Sequence, residues 1–219
     1  MSRLLLLLCL AATAAPASAQ LSYLPPVDEG AQDASFVAFR SRLLAAAAAR
    51  DTAAVLNAFS PEATISFGAT ATGPAGVREV WFDNQHGGDE DLWTALVRTV
   101  SMGSIVESGV VTTPYVFLGI PQGLEPFEHV VIVGEQVRIR NAPSLSSGVL
   151  TSVTHSVIPT AYQDASPTEA DGYVWIPVRL ENGERGWVAE DFVWSPVGLR
   201  AGFEKQGSTW KILYFVAGD

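Results

Sequence analysis

Three histidines are the residues of this chain best suited to metal or acid–base chemistry: His86, His129 and His155. A catalytic zinc ion needs three converging nitrogen or oxygen ligands, and sequences that supply them usually place two ligands on one face of a helix. The histidines show no such pair. His86 adjoins Gly87-Gly88, as loop residues often do, and the other two lie in or beside valine-rich segments. We therefore expect no metal site and no cofactor.

The acidic residues and the serines also lack a recognisable catalytic spacing. One acidic group consists of Asp83, Asp89, Glu90 and Asp91. It does not match the alternating oxygen ligands of an EF-hand loop, and helix capping accounts for its last three members. A second, scattered group consists of Glu125, Glu128 and Glu135. It offers no carboxylate pair of the glycosidase kind, and no G-x-S-x-G motif occurs, so we expect no enzyme.

The N-terminus has the three parts of a secretory signal peptide. Arg3 supplies a positive charge, and an apolar run follows from Leu4 to Ala12. An Ala17-Ser18-Ala19 cleavage site then precedes Gln20. The apolar run is shorter than the ~20 residues that span a bilayer, and no stop-transfer pattern supports the alternative of a retained anchor helix. We expect residues 1–19 to be removed and the mature protein to be periplasmic or secreted.

Composition limits the partners and the chemistry of the mature chain. The formal net charge of -10 repels nucleic-acid phosphates and anionic membranes, so we expect no nucleic-acid partner. Hydrophobic residues make up 48% and charged residues 16% of the chain, which favours a folded protein. No later apolar run has membrane-spanning length, so no membrane insertion is expected after signal cleavage. The single cysteine, Cys9, lies in the predicted signal peptide and leaves the mature chain without a thiol nucleophile.

Turn residues and apolar periodicity divide the region before residue 129. Residues 20–34 are rich in proline and acidic residues, which favours a linker. Residues 35–128 alternate helical and strand patterns, which predicts an N-terminal α+β module. The predicted helix N-caps are Ser35, Asp51 and Asp89. The predicted strands are Ala63 to Phe67, Val110 to Thr113 and Tyr115 to Leu118.

A strand, turn and hairpin pattern occupies the stretch from Val137 to Val193. It opens with Val137-Arg138-Ile139-Arg140-Asn141-Ala142-Pro143-Ser144. It closes with a strand containing Trp175, an Asn182-Gly183 dipeptide typical of two-residue hairpins, and Gly186-Trp187-Val188. This order resembles the bacterial Src homology 3 domain, a small β-barrel of exported cell-wall and envelope proteins. The resemblance predicts a barrel over residues 129–194.

The same resemblance implies that ligands dock in shallow clefts between the loops of the barrel, where aromatic side chains offer large rigid faces. The ligand-binding candidates are Tyr162 and Tyr173, which flank an acidic loop, and Trp175 and Trp187, on neighbouring strands. The alternative for the two tryptophans is packing inside the barrel. The implied partners are a cell-wall peptide, peptidoglycan or an envelope protein.

Residues 195–219 predict a C-terminal hairpin whose apolar side chains are too many for an exposed tail. A single hairpin is not stable alone, so we expect it to pack back on the N-terminal module. The predicted fold class is therefore α+β, with an N-terminal α+β module, a small Src homology 3-like β-barrel and this C-terminal β-hairpin. The two helices, strand, later helix and closing Trp210-Lys211-Ile212 strand resemble the cone-shaped nuclear transport factor 2-like superfamily.

Together these patterns favour a non-enzymatic, exported envelope protein whose barrel is a binding module. Two alternatives stay open: a small-molecule-binding or catalytic pocket in the N-terminal module, and a structural subunit of an envelope complex. A large apolar cavity would favour the pocket if lined by Phe36, Phe39, Phe67 and Trp93. A filled core there would favour binding by the barrel.

Export predicts a defined mature terminus. Protein recovered from the periplasm or the medium should begin at Gln20, because signal peptidase cleaves after the second small residue of an A-x-A site. Intact-mass analysis measures this directly. A chain that begins at Met1 and stays in the membrane fraction would contradict the prediction.

Overall fold

The computed structural model describes residues 21–67, 70–83 and 91–218, so the predicted signal peptide lies outside the described residues. Its helices are α1 (Ala34–Ala48), α2 (Thr52–Ala58), α3 (Gly73–Arg78), α4 (Leu92–Ser101) and α5 (Tyr115–Gly119). Its first seven strands are β1 (Ser22–Tyr23), β2 (Phe59–Thr64), β3 (Ile105–Glu107), β4 (Val110–Thr113), β5 (His129–Ile132), β6 (Val137–Arg140) and β7 (Val149–Val153). The others are β8 (Ser156–Pro159), β9 (Thr168–Ala170), β10 (Tyr173–Arg179), β11 (Arg185–Ala189), β12 (Val193–Trp194), β13 (Arg200–Gln206) and β14 (Thr209–Val216). Largely separate helices and antiparallel strands make the fold α+β.

Aspartates begin three of the described helices, because a carboxylate can accept from the free backbone N–H groups of a first turn. Asp51 accepts from Ala54 N at 3.0 Å, as its sequence position predicts. Asp33, not Ser35, caps α1 and accepts from Ser35 N and Phe36 N at 2.7 and 3.1 Å. Asp91 caps α4, and the predicted cap Asp89 lies outside the described residues.

A five-stranded sheet joins the C-terminal hairpin to the N-terminal region in the order β2-β14-β13-β4-β3. β13 pairs antiparallel with β4, and β14 pairs parallel with β2. The helices cover this sheet and enclose an aromatic core, in which the Phe36 ring lies 5.4 Å from Phe203 and 5.1 Å from Trp210 between centroids. Such edge-to-face contacts add about 1 kcal/mol each beyond the area they bury.

Residues 129–194 form two facing sheets instead of the expected closed barrel. One has the order β1-β8-β5-β12 and the other β7-β6-β11-β10-β9, and valine and isoleucine side chains from both fill a common core. Where β8 of one sheet approaches β10 of the other, the strands pair through one isolated bridge, between Thr160 and Val178. The preceding residues, Pro159 and Pro177, have no N–H group with which to extend that ladder.

The segment predicted as a linker, residues 20–34, belongs to the fold wherever it is described. Ser22 and Tyr23 pair with β8, and Leu24 donates its backbone N–H to His155 O at 2.6 Å. Glu29–Gln32 then form a 3₁₀ helix. A two-residue strand has no periodicity of its own, so its proline-rich sequence could not indicate it.

Three local expectations also differ from the structure. The predicted strand Tyr115 to Leu118 is helix α5, and the predicted strand Ala63 to Phe67 is shifted towards the N-terminus as β2. The hairpin at Asn182-Gly183 has a three-residue turn, because Leu180 N donates to Glu184 O and only Gly183 takes a positive φ, of 82°.

The two parts of the molecule share an apolar interface. Leu24, Tyr115 and Val116 pack with Val131 and Val157 of the β5–β8 pair. Nearby, the Arg98 guanidinium lies 5.4 Å from the Trp194 ring centroid and joins α4 to β12. The interface fixes the orientation of the β-sandwich on the N-terminal part.

Asp28 lies at the centre of a polar cluster at the start of the N-terminal part. Its carboxylate accepts two hydrogen bonds from Arg40, at 2.9 and 2.8 Å, and one from Ser104 Oγ at 2.7 Å. The Arg40 bonds are the main cause of the lowered pKa of Asp28; partial burial opposes them and the Ser104 bond adds to them. A carboxyl with a lowered pKa stabilises the fold above its ordinary pKa, and this contribution is lost as the pH falls through the lowered value.

We therefore expect Asp28→Asn to lower the free energy of unfolding at pH 7 by about 1 kcal/mol, allowing for solvent screening. The difference from wild type should shrink as the pH falls below the ordinary pKa of aspartate and through the lowered pKa of Asp28 in the folded protein, where the wild-type carboxyl becomes protonated. Urea unfolding across pH measures it, with the exposed Asp191→Asn as the matched control. A difference independent of pH would contradict the role of the carboxylate charge.

Candidate functional site

The two tryptophan candidates are buried. Trp175 is 2% and Trp187 6% exposed, and both pack with Ala189 in a small cluster. Their neighbours on the same strands, Ile176 and Val188, point into the core between the two sheets. Because side chains alternate along a strand, the tryptophans lie on the opposite face, beneath the loop that precedes β10. Trp175 Nε1 donates to Ala170 O, at the end of β9, at 3.0 Å.

A cleft of about 350 Å³ lies beside this cluster. Here it is called the Tyr173 cleft, and its principal lining residues are Arg138, Arg140, Leu145, Tyr173, Trp175 and Phe192. Tyr173 is half-buried, with its ring 6.2 Å from that of Trp175 in an edge-to-face arrangement. Leu145 and Phe192 are 50% and 47% exposed, which leaves them available for contact. The cleft therefore combines rigid aromatic and aliphatic walls.

Strand alternation places two cations at this cleft. Val137 and Ile139 are buried in the core, so Arg138 and Arg140 point outwards. Arg140 Nη1 donates to Ser147 O at 2.7 Å, which holds its guanidinium against the loop 141–148. Arg138 is exposed. Glu135 also lines the cleft, so the charges at the cleft are mixed with arginine in excess.

The loop 141–148 is joined to the turn before Tyr173 by one carboxylate. Asp171 Oδ2 accepts from Ser144 Oγ and from Leu145 N, each at 2.7 Å. These hydrogen bonds, with that from Ser144 first, lower the pKa of Asp171. The acidic segment between Tyr162 and Tyr173, which the sequence predicts to be a loop, contains strand β9, which pairs with β10. That pairing places Asp171 next to Ser144.

Tyr162 does not line the Tyr173 cleft. It is 45% exposed and lines a separate hollow of about 330 Å³ with Phe127, His129 and Gln163. Partial burial raises the pKa of Tyr162, and the nearby charge of Glu190 adds to the effect. The four predicted residues thus divide between one cleft, a second hollow and a packed cluster. Leu145, Phe192 and the two arginines were missed, although the alternation of Val137-Arg138-Ile139-Arg140 could have indicated the arginines.

The aromatic residues that could have lined an N-terminal cavity largely fill a core instead. The Phe36 and Phe39 centroids lie 6.4 Å apart, and both rings contact Phe203. Phe67 is exposed, and Trp93 is half-buried beside Phe82. An open groove of about 650 Å³ does occur nearby, lined by residues that include Glu29, Asp33, Val106 and Trp210. It lies outside the aromatic core.

The described residues contain no group of three or more histidine, cysteine, aspartate or glutamate side chains placed to hold a metal ion. Of the histidines, His86 lies outside those residues, His129 Nδ1 is 2.9 Å from Glu125 O, and His155 is buried. Within the same part of the chain, no helix is both long and apolar enough to cross a bilayer. Comparisons of the chain with protein-family models, with curated proteins and with solved structures found no match.

The burial of Trp187 predicts a large effect on stability. Trp187→Ala should lower the free energy of unfolding by about 3–5 kcal/mol, because it removes a buried ring and leaves a cavity. Tyr162→Ala should change it by about 0.5 kcal/mol, as an exposed substitution does. Urea unfolding of both variants tests the difference, and equal effects would contradict the packing role of Trp187.

Proposed function

We propose that this protein is an exported, non-enzymatic binding protein of the bacterial cell envelope. Its Src homology 3-like part takes a carboxylate-bearing peptide, from peptidoglycan or from an envelope protein, in the Tyr173 cleft. The observation that carries the proposal is the cleft itself, in which exposed apolar side chains stand beside two arginines. The signal-peptide pattern supports the location, and the resemblance of Val137 to Val193 to bacterial Src homology 3 domains supports the type of module.

The apolar side of the cleft suits a peptide side chain. Leu145 and Phe192 would each lose exposed apolar surface on contact with a ligand, and burial of such surface stabilises a complex by roughly 25 cal/mol per Å² before entropic costs. Tyr173 presents a ring already held by Trp175, so little side-chain freedom is lost when it binds. A shallow aromatic cleft of this kind is typical of peptide-binding modules.

The charged side of the cleft suits a carboxylate. Arginine binds carboxylates through paired N–H donors, and Arg140 is already oriented by Ser147. The chain has a formal net charge of -10, so the two arginines give the cleft a local charge opposite to that of the whole protein. Stem peptides of peptidoglycan carry free carboxylates beside aliphatic side chains, which matches both sides of the cleft.

The alternative of a small-molecule or catalytic pocket in the N-terminal part has one observation in its favour, the open groove beside Trp210. We rank it second because Phe36 and Phe39 pack in a filled core. In addition, the two carboxylates that line the groove, those of Glu29 and Asp33, already accept hydrogen bonds that stabilise the fold. Glu29 accepts from Val106 N at 2.7 Å, and Asp33 caps α1.

The proposal predicts that the mature protein sediments with purified peptidoglycan sacculi and that variants of the cleft do not. Tyr173→Ala and Arg138→Ala should each weaken binding about tenfold, the size of effect typical of an aromatic or arginine contact at the centre of a binding site. Added salt should weaken binding as well, because it screens attraction between arginine and carboxylate.

Two matched controls separate the cleft from other surfaces. Arg42→Ala removes the same charge from an exposed position on α1, and Tyr162→Ala removes a tyrosine from the second hollow. Both should bind as wild type does. Loss of binding in Tyr162→Ala alone would move the site to the second hollow, and no sedimentation of the wild type would refute sacculus binding.

A further inference from the structure

We infer that Asp171 is the positioning residue of the Tyr173 cleft and that its carboxylate sets the distance between the two walls of that cleft. One wall is Leu145, on the loop 141–148, and the other is Tyr173, at the start of β10. The inference rests on the proposed function, since it concerns the same site. It adds the means by which the binding geometry is held before a ligand arrives.

The Asp171 carboxylate contacts the Leu145 wall of the cleft directly. A single oxygen, Oδ2, accepts from both Ser144 Oγ and Leu145 N. Hydrogen bonds to an ionised acceptor are roughly twice as strong as bonds between neutral groups. The bond to Leu145 N holds the backbone of the wall residue itself.

The loop that carries Leu145 is braced internally, so it is held as a unit. Asn141 N donates to Gly148 O at 2.9 Å across its base, and Ser147 Oγ lies 2.7 Å from the carbonyl oxygens of Ala142 and Ser144. Arg140 Nη1 also donates to Ser147 O. A tether at Ser144 and Leu145 therefore positions the whole loop.

The backbone connects the same carboxylate to the other wall. Asp171 and Gly172 have φ of 55° and 77°, and they form the turn between β9 and β10, where Ala170 pairs with Tyr173. Two successive residues with positive φ match the twist of a tight hairpin and leave it little freedom. Tyr173 follows directly, so the turn that orients Asp171 also orients the tyrosine.

Because the two walls of the cleft are already held in place, less conformational entropy is lost when a ligand binds. Without the tether, the loop 141–148 would have to be ordered when the ligand binds, which weakens the complex without removing any ligand contact. The loss should be seen mainly in faster dissociation, since differences between variants of one interface lie mostly in the off-rate.

Three substitutions isolate the carboxylate from the backbone of the turn. Asp171→Gly removes the carboxylate and keeps the positive φ available, whereas Asp171→Ala would add strain. Asp171→Asn keeps an acceptor oxygen and also tolerates positive φ. Ser144→Ala removes one of the two partners and leaves the bond to Leu145 N.

The test has two readouts, measured on the mature chain. In the ligand-free protein, exchange of the Leu145 amide proton with solvent should be about tenfold faster in Asp171→Gly than in wild type, with Asp171→Asn between the two because its oxygen is neutral. With sacculi as the probe, Asp171→Gly should dissociate several-fold faster than wild type, and Asp171→Asn should dissociate at a rate between the two, because its neutral oxygen accepts more weakly.

The two readouts distinguish failure of the inference from failure of the proposed function. Unchanged exchange at Leu145 in Asp171→Gly would overturn the tether, whether or not sacculi bind. Faster exchange with an unchanged dissociation rate would overturn its role in positioning the cleft. If the wild type binds no sacculi while exchange responds as expected, the proposed ligand fails and the tether stands.

Discussion

The insertion of β13 and β14 into the middle of a five-stranded sheet is the constraint on which the rest of the structure depends. These two strands separate β4 from β2, so the N-terminal sheet cannot form until the chain returns from residue 199. Phe203, Ile212 and Phe215 enter the helical core along with them. The chain therefore leaves this sheet after β4 and returns to it at β13, so the β-sandwich between them has to begin and end at neighbouring points. The pairing of β5 with β12 satisfies this, because Val131 lies opposite Trp194.

The shared apolar interface follows from the same constraint. The entry and exit strands of the sandwich lie side by side, and β5 pairs with β8 next to them. Tyr115 and Val116 cover Val131 and Val157 of that pair, and Leu24 arrives from the N-terminal segment. The sandwich is therefore held against the N-terminal part by burial on one of its sheets. The Tyr173 cleft is built on the other sheet, which leaves it open to a ligand.

Packing beneath the Tyr173 cleft gives it its shape. Trp175 and Trp187 are buried under the loop before β10, and Trp175 in turn supports the ring of Tyr173. Arg138, Arg140 and the exposed side chains of Leu145 and Phe192 line the cleft around this support. The covered aromatic residues thus support the tyrosine ring from below.

Local signals were sufficient for the features that depend on neighbouring residues. The α+β class and the cap at Asp51 follow from hydrogen-bonding groups and apolar periodicity close in the chain, as does the glycine with positive φ at Gly183. Features that depend on distant partners could not be predicted in this way. Ser22 and Tyr23 form a strand only because β8 lies beside them, and the two sheets meet at the single Thr160 to Val178 bridge only because distant segments approach there. Sequence predicted one ligand site among the aromatic residues near the acidic loop, but tertiary structure alone decided that Tyr162 and Tyr173 face different hollows, because the pairing of β9 with β10 reverses the chain between them.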